Sequence, residues 1–144
     1  MLTMLRYAWA APATLVGLLV ALPAFATGAR ARIVDGVIEV SGGRIERLIA
    51  VLPRRCRFCA ITFGHLVVCI DEYTAAAVRA HEHVHVRQYE RFGALFFPLY
   101  IGSSVMQLLR GRDPYFDNRF EREAYARVVR KIGGNGRKID GDVA

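Results

Sequence analysis

Three of the chain's four histidines stand close together, at positions 81, 83 and 85. They lie in the segment "RAHEHVHVRQYERF", residues 79–92, and Glu82 follows the first of them. If this segment is helical, residues four apart share one face, so the imidazoles of His81 and His85 lie one above the other. Two neutral imidazoles at that spacing are ligands for Zn²⁺, and a carboxylate beside the first can take a proton from a water at the metal. The order His-Glu-x-x-His therefore indicates a zinc site suited to hydrolysis.

A zinc site of this kind needs a third protein ligand and leaves its fourth position open for water. Downstream, the segment "DNRFEREAYA" offers Asp117, Glu121 and Glu123 near the start of another expected helix. The helix that carries the histidines runs on for about 10 Å after His85, and a second helix can return antiparallel for about 24 Å. The loop 111–118 then reverses the chain, so a carboxylate in the first turn of the third helix can reach the metal.

These residues resemble the zincin metallopeptidases, and in particular the gluzincin group, in which HExxH is followed by a glutamate on a later helix. The resemblance implies that His81 and His85 are metal ligands and that Glu82 is the general base. It implies Glu121 as the third ligand, because "ExEA" places the ligand three residues before the alanine, with Glu123 as the alternative. The implied reaction is hydrolysis of a peptide bond in a peptide or protein substrate, with Zn²⁺ as the cofactor.

The segment "HEHVHVRQ" also looks like the HExxHxxQ form of compact members of this group, in which three helices and a small sheet surround the metal. The resemblance covers residues 60–130 at most. Many gluzincins carry an aspartate four residues after the glutamate ligand to orient a histidine, whereas this chain has Tyr125 there. The group that orients the histidines is therefore not identified by the sequence, and Asp117 and Asn118 are the candidates.

Two other interpretations of the histidine segment stay open. A bound metal could hold helices together without catalysis, or the helix could bind no metal and belong to a membrane interaction module, with Glu121 and Glu123 paired to nearby arginines. His83 lies roughly 200° around the helix from His81, so it is expected at the surface or against the sheet rather than in the same site. His65 stands among apolar strand residues and is expected to be packed or hydrogen-bonded.

The amino-terminal segment "YAWAAPATLVGLLVALPAFATGA", residues 7–29, carries no charge over 23 positions. A helix of that length can cross a hydrocarbon layer of about 30 Å. Aromatic residues near its start suit one interface, and Arg30 with Arg32 suit the other. A cleaved signal sequence is the alternative, because "AFA" at 24–26 has the small-x-small pattern of a cleavage site. The apolar run is long for a signal sequence, so we expect a retained single-pass anchor over residues 1–29.

The distribution of arginines around the anchor predicts its orientation. Only Arg6 precedes the apolar segment, whereas four arginines follow it by residue 47, and positive-inside counting then favours a cytoplasmic carboxyl-terminal domain. A second apolar stretch, 94–109, is shorter than the roughly 20 residues that a crossing needs. A crossing there would also separate Glu121 from His81. We therefore expect this stretch to be buried in the core or partly embedded in the lipid bilayer beside the anchor.

Between the anchor and the histidines, the sequence predicts a small antiparallel sheet. Asp35-Gly36 lies between two β-branched runs and favours a type I′ hairpin turn. Residues 60–70, "AITFGHLVVCI", are β-branched and apolar and predict a strand, whereas residues 44–53 fit either a strand or a short helix. The predicted fold class is therefore α+β, with an amino-terminal membrane helix, a small sheet and then three helices.

The three helices have start and stop signals. The first opens at the acidic residue Asp71 and ends at Gly93, and the third ends at the glycine pair 133–134. The domain organisation that follows is a compact zincin-like domain over residues 30–133 and a flexible tail over residues 134–144.

Charge and cysteine usage narrow the function classes. The net charge of +7 is almost wholly due to arginines scattered along the chain, which suits anionic lipid headgroups and argues against nucleic-acid binding. The "CRFC" segment, Cys56 to Cys59, has the spacing of a zinc or redox half-site, but the third cysteine, Cys69, does not supply a second pair. We interpret them as ordinary cysteines near a strand. The sequence does not predict the oligomeric state.

Overall fold

The computed structural model describes residues 2–51 and 58–139. Its elements, in chain order, are α1 (Leu2–Ala26), β1 (Ala29–Val34), β2 (Val37–Gly42), α2 (Ile45–Ala50), β3 (Ala60–Phe63), β4 (Leu66–Cys69), α3 (Glu72–Phe92), a 3₁₀ turn (Gly93–Leu95), α4 (Phe96–Leu109) and α5 (Arg119–Ile139). The fold class is α+β, as the sequence predicts. The chain divides into two compact units, residues 1–96 and residues 97–144.

The four strands form a mixed sheet in the order β1-β2-β4-β3. The predicted hairpin is confirmed: β1 pairs antiparallel with β2, and Asp35 and Gly36 between them have φ values of 50° and 80°. The prediction of a wholly antiparallel sheet is wrong, because β4 pairs parallel with β2. Strand β3, which follows α2, runs opposite to β2, and the β3–β4 turn then reverses the chain so that β4 enters the sheet in the direction of β2.

The prediction of a single strand over residues 60–70 is also wrong. Gly64 has a φ of 59°, which lies in the left-handed region that suits glycine, and the chain turns at Gly64 and His65. The segment therefore forms two antiparallel strands, β3 and β4, joined by a two-residue turn. The segment 44–53, which fitted either a strand or a short helix, contains the helix α2.

Helix α1 covers one face of the sheet and α3 covers the other. On the α1 side, Ala21 and Ala24 pack with Val40, Leu66 and Val68 in one core cluster. A separate cluster, Val37, Val67, Cys69, Ala75 and Val86, joins the sheet to α3. Adjacent residues of a strand point to opposite faces, so Leu66 and Val68 meet α1 while Val67 and Cys69 meet α3.

Small residues let α1 approach the sheet closely. Ala10, Ala13, Gly17, Ala21 and Ala24 recur at helical spacing, and all are buried. A Cβ atom at Gly17 would lie only 2.6 Å from the Cβ atom of Phe63. The backbone of α1 is therefore packed directly against β3 at this point.

Three hydrogen bonds attach α1 along its length. The hydroxyl of Tyr7 donates to the carbonyl of Gly36 at 2.9 Å. Near the middle, the backbone N–H of His65 donates to Thr14 Oγ1 at 2.9 Å. Just after the helix, the N–H of Arg44 donates to Thr27 Oγ1 at 3.0 Å. The helix is thus fixed to the β1–β2 turn, to the β3–β4 turn and to the start of α2.

The ends of α3 confirm the predicted start and stop signals. The carboxylate of Asp71 accepts the N–H of Thr74 at 2.7 Å, and Gly93 ends the helix with a φ of 59°. In contrast, α5 does not end at the glycine pair but continues to Ile139. Residues 140–144 of the predicted tail lie outside the described part of the chain.

In the second unit, the polar side chains of α4 bind the start of α5. Asn118 donates to Ser104 Oγ at 2.7 Å and to the carbonyl of Tyr100 at 3.1 Å, and its own oxygen caps α5 at the N–H of Phe120. Ser103 Oγ accepts the N–H of Arg119 at 3.2 Å. The 14 residues of α4 span about 21 Å, less than a hydrocarbon layer of about 30 Å.

Two helical stretches, Met4–Ala26 and Glu72–Leu109, are long and apolar enough to cross a membrane. The first lies at the amino terminus, where a signal sequence has the same properties. Length and composition alone therefore allow a membrane helix over α1 without fixing how it meets the bilayer.

The close approach at Gly17 leads to a stability prediction. Gly17→Ala should lower the free energy of unfolding by about 1–3 kcal/mol, because the added methyl group would force α1 away from Phe63. Gly102→Ala in α4 is the matched control, since a Cβ atom there meets nothing within 4 Å, and it should be neutral or slightly stabilising. Denaturant unfolding of both variants in the same detergent would measure the difference. Equal stability of the two variants would contradict the packing of α1 on β3.

Candidate metal centre

Packing of α3 on the sheet sets the direction of the histidine side chains. Ala75 and Val86 are buried in the core cluster with strands β2 and β4, and this fixes one face of the helix. His85 is buried and His81 is half-buried. Because the two histidines are four residues apart, their rings lie on one side of α3, edge to face, with centroids 4.8 Å apart and an interplanar angle of 78°.

The side chain of Gln88 orients one of these imidazoles. Its Oε1 atom lies 2.8 Å from Nδ1 of His85, and both side chains are buried. An amide oxygen accepts, so Nδ1 carries the proton and the lone pair of His85 is on Nε2. That Nε2 atom lies 3.1 Å from Nε2 of His81. The two nitrogens thus point toward a common position.

His81, His85 and Glu121 form a group that could hold a metal ion, because their ligand atoms all lie within 4.8 Å of one another. Glu121 is the residue that the resemblance to gluzincins implies as third ligand, and it is 2 % exposed. Its Oε1 atom accepts the hydroxyl of Tyr100 at 2.8 Å. Glu123, the alternative, instead forms an ion pair with Arg127 at 2.7 Å, one turn further along α5.

The spacing of the imidazole nitrogens fits a metal. Two nitrogens, each about 2.0–2.1 Å from a tetrahedral Zn²⁺, lie roughly 3.3–3.4 Å apart. The Nε2 atoms of His81 and His85 are 3.1 Å apart, so a small movement suffices to accommodate an ion. Two imidazoles and one carboxylate leave a fourth tetrahedral position for another ligand. The structure supports a metal-binding group, while the identity of the metal is not determined by it.

Glu82 is held by a residue from the sheet. It is buried, and its Oε2 atom accepts the hydroxyl of Thr62 at 2.6 Å. Thr62 lies in β3, one of the two edge strands of the sheet, and is itself buried. One carboxylate oxygen is therefore fixed by the strand, which leaves Oε1 for another partner.

His83 meets the sheet, in agreement with one of the two positions expected for it. Its Nε2 atom lies 3.9 Å from Glu39 Oε1, in the middle of β2. Arg79 donates two hydrogen bonds to the same carboxylate, at 2.6 and 3.0 Å, and Arg32 donates a third at 3.2 Å. Burial alone would raise the pKa of Glu39, but the bonds and charges of Arg79 and Arg32 outweigh it and hold the pKa below its ordinary value.

His65 is packed and hydrogen-bonded, as expected. Its ring stacks on that of Tyr7 with centroids 4.0 Å apart, and its Nε2 atom lies 3.1 Å from Glu90 Oε1 near the end of α3. Its position differs from the expected one, because it lies in the β3–β4 turn rather than within a strand. Arg6 reaches the same glutamate at 3.7 Å. His65 thus joins α1, the sheet and α3.

The cysteines among the described residues have no role in the metal group. Cys59 is exposed and Cys69 is buried, and both are free thiols. Burial, with the nearby charges of Glu82 and Glu39, raises the pKa of Cys69 to about 12, so its thiol stays protonated at neutral pH. Cys56 lies outside the described residues, and the Cys56–Cys59 pair stays untested.

Sequence reasoning missed several residues that position the candidate site. Thr62 and Glu39 have no local signal, because each meets α3 only after the sheet forms. Gln88 appears in the HExxHxxQ pattern, but its hydrogen bond to His85 was not foreseen. The two residues expected to orient a histidine have other partners: Asn118 caps α5, and Asp117 accepts the N–H of Asp113 at 3.1 Å.

Comparisons of this chain with protein-family models, with curated proteins and with solved structures find no match. The resemblance to gluzincins therefore rests on the residues of the histidine segment and of α5 alone.

The Gln88–His85 hydrogen bond predicts an effect on metal affinity. Gln88→Leu should weaken Zn²⁺ binding about 10–100-fold, because the ring of His85 would lose the partner that fixes its tautomer and direction. Ala76→Gln, on the exposed side of the same helix, is the control and should bind as wild type does. Competition with a fluorescent chelator would measure both affinities. Unchanged binding by Gln88→Leu would show that Gln88 does not orient a ligand.

The Glu39 network predicts a pH-dependent contribution to stability. Folding lowers the pKa of Glu39 below its ordinary value of 4.5. The ionised carboxylate therefore stabilises the folded protein fully at a pH above 4.5, and this stabilisation is lost as the pH falls through the lower pKa of the folded state. Glu39→Gln should therefore be less stable than wild type by about 1–3 kcal/mol at neutral pH, and the gap should close in acid. Glu46→Gln, an exposed glutamate in α2, is the control. Urea unfolding from about pH 7 to about pH 3 would test this, and a gap that stays constant would contradict it.

Proposed function

We propose that the protein is a membrane-associated zinc metallopeptidase. The observation that supports this most directly is the group formed by His81, His85 and Glu121, with ligand atoms within 4.8 Å of one another. Glu82 stands between the two histidines in the sequence, which is the position that the resemblance to gluzincins assigns to a general base. Two neutral imidazoles and one carboxylate are a donor set typical of catalytic zinc.

In this proposal, two of the three ligands are held by a neighbour. Gln88 keeps the lone pair of His85 on Nε2, and Tyr100 donates to Glu121 Oε1. When bound, Zn²⁺ supplies a Lewis acid that lowers the pKa of water and polarises the scissile carbonyl. The chain's own contribution is to fix the ligands and to keep a general base beside them.

Glu82 is the proposed general base. The hydroxyl of Thr62 occupies its Oε2 atom, so the proton of the attacking water goes to Oε1. The same carboxylic acid then protonates the leaving amine, which completes the hydrolysis without net change at Glu82. Because Thr62 fixes the rotation of the carboxylate, the base is oriented before the substrate binds.

The edge strand β3 suits an extended peptide substrate. Among the described residues it pairs only with β4, so its other edge has backbone groups available for a further strand. Thr62 in this strand touches Glu82, so a peptide added to β3 would run past the proposed base. Peptide and protein substrates are therefore favoured over small molecules.

Membrane association through α1 is part of the proposal. Cleavage at 24–26 would remove the helix that buries Ala21 and Ala24 against the sheet, so the packing favours a retained helix over a cleaved signal sequence. The cytoplasmic position of the domain rests on the distribution of arginines alone. Substrates near the bilayer would suit a peptidase held there.

Catalysis and a purely structural zinc make different predictions for Glu82. Glu82→Gln should keep the fold and the metal but lower peptide hydrolysis about 10²–10⁴-fold, because an amide cannot accept the proton. Cleavage of a fluorogenic peptide library by the zinc-loaded, detergent-purified chain would measure this. Glu72→Gln, an exposed glutamate in the first turn of the same helix, is the matched control and should retain activity.

Metal content decides the interpretation of that experiment. Elemental analysis should find about one zinc per chain in wild type and in Glu82→Gln, and little in His85→Ala or Glu121→Gln. Glu123→Gln should keep its zinc, since Glu123 pairs with Arg127. Unchanged hydrolysis by Glu82→Gln would refute the catalytic role. A zinc-loaded chain without peptidase activity, whose stability falls with the metal, would indicate a structural zinc instead.

A further inference from the structure

Helix α1 has two apolar faces rather than one. From Tyr7 to Ala26 it carries no charge. The face formed by its small residues is buried on the sheet, whereas Leu15, Leu19 and Leu22 on the opposite side are 58–66 % exposed. A helix that is apolar all round belongs in apolar surroundings on every side. The sheet provides them on one side only.

The helix lies along the sheet over its whole length. Contacts run from Tyr7 at the β1–β2 turn, through Thr14 and Gly17 at β3 and the β3–β4 turn, to Thr27 at the start of α2. The 25 residues of α1 extend about 37 Å, so no free part remains that could cross a bilayer apart from the domain.

A membrane-spanning α1 would therefore take the sheet into the hydrocarbon. Edge strands β1 and β3 have backbone groups that no strand pairs with among the described residues. Lipid offers such groups no hydrogen-bond partner, which is why open sheets do not span membranes. The charged network around Glu39 lies beside the same sheet. The packing of α1 and a transmembrane path for α1 are thus incompatible.

We propose that α1 lies flat in the plane of the membrane surface, with its outward face, formed by Leu5, Leu15, Leu19 and Leu22, in the outer part of one leaflet. The occupant of this face is a lipid bilayer with anionic headgroups. The protein is then monotopic, and the single crossing expected from the sequence does not occur. This inference rests on the proposed membrane association but not on zinc binding or catalysis.

Charges at both ends of the outward face fit anionic headgroups. Arg6, whose side chain is 59 % exposed beside its ion pair with Glu90, lies near the amino-terminal end of α1, and Arg44 and Arg47 are exposed near the other end. Trp9 is 54 % exposed and Tyr7 is also partly exposed, as is common for aromatic residues at a membrane interface. Each basic residue near an anionic membrane surface strengthens binding by about 1 kcal/mol, which is roughly fivefold in affinity.

A second copy of the chain fits this face less well. Both ends of the face carry arginines, so a parallel or an antiparallel pair of α1 helices would bring like charges together. Lipid headgroups neutralise the same charges. Charge complementarity therefore favours the bilayer over self-association.

Depth measurements can separate a flat helix from a spanning one. The chain has one tryptophan, so the Trp9→Phe variant has no tryptophan fluorescence. In this background Leu5→Trp, Leu15→Trp and Leu22→Trp place a single probe at three exposed points of α1. The full-length variants would be reconstituted in vesicles of phosphatidylcholine and phosphatidylglycerol. The phosphatidylcholine is brominated either near the headgroup or near the end of the acyl chain.

The expected result is the same shallow depth at all three positions. Quenching by bromine near the headgroup should exceed quenching by bromine near the chain end roughly twofold or more at each probe. An upright helix would instead separate Leu5 from Leu22 by about 26 Å and place the probe at Leu15 near the bilayer centre. Deep quenching at Leu15→Trp alone would overturn the proposal in favour of a spanning helix.

Two further outcomes would also overturn it. Probes that no brominated lipid quenches, but that acrylamide in water does, would show that α1 faces water and would end the proposed membrane association as well. Probes that neither reagent reaches would indicate a second copy on this face. Tyr73→Trp is the control, because Tyr73 is 86 % exposed on α3, which covers the opposite face of the sheet. It should be quenched by acrylamide and not by lipid.

Discussion

The close packing of α1 on one face of the sheet is the constraint on which the first unit depends. A four-stranded sheet with two apolar faces needs cover on both sides, and α1 and α3 provide it. Small residues bring the backbone of α1 within reach of β3 and of the β3–β4 turn. The sheet held in this way is a rigid surface for α3, and α3 carries the histidines. The candidate metal centre thus depends on a helix that contributes no ligand to it.

Two polar contacts fix the orientation of α3 on that surface. The carboxylate of Glu39 in β2 binds Arg79, and the hydroxyl of Thr62 in β3 binds Glu82. Apolar packing alone allows a helix to rotate by small angles, because dispersion contacts have no direction. Hydrogen bonds to a buried carboxylate restrict that rotation. The direction of the imidazoles is therefore set by the two strands on either side of β4.

Local patterns in the sequence predicted the parts of this protein that depend on neighbouring residues. The Asp35-Gly36 hairpin, the start and end of α3, and the shared face of His81 and His85 all follow from spacing and from turn chemistry. The break at Gly64 was missed because a single glycine stands inside an otherwise continuous apolar run. Parallel pairing of β2 with β4 was missed because tertiary contacts decide it. Thr62 and Glu39 acquire their partners only in the folded chain, and zinc binding and catalysis stay predictions.

The order of α1 and its partner strands along the chain has a consequence for biosynthesis. Its partners in β3 and β4 are about 40–60 residues further along, so at roughly 5–20 residues per second the ribosome makes them several seconds later. During this interval α1 has both apolar faces uncovered, and it has the length and composition that membrane-insertion machinery recognises. Translation speed and chaperone binding would then decide between insertion and folding. Synonymous codon changes in the stretch between α1 and β3 could alter the fate of the protein without changing one residue.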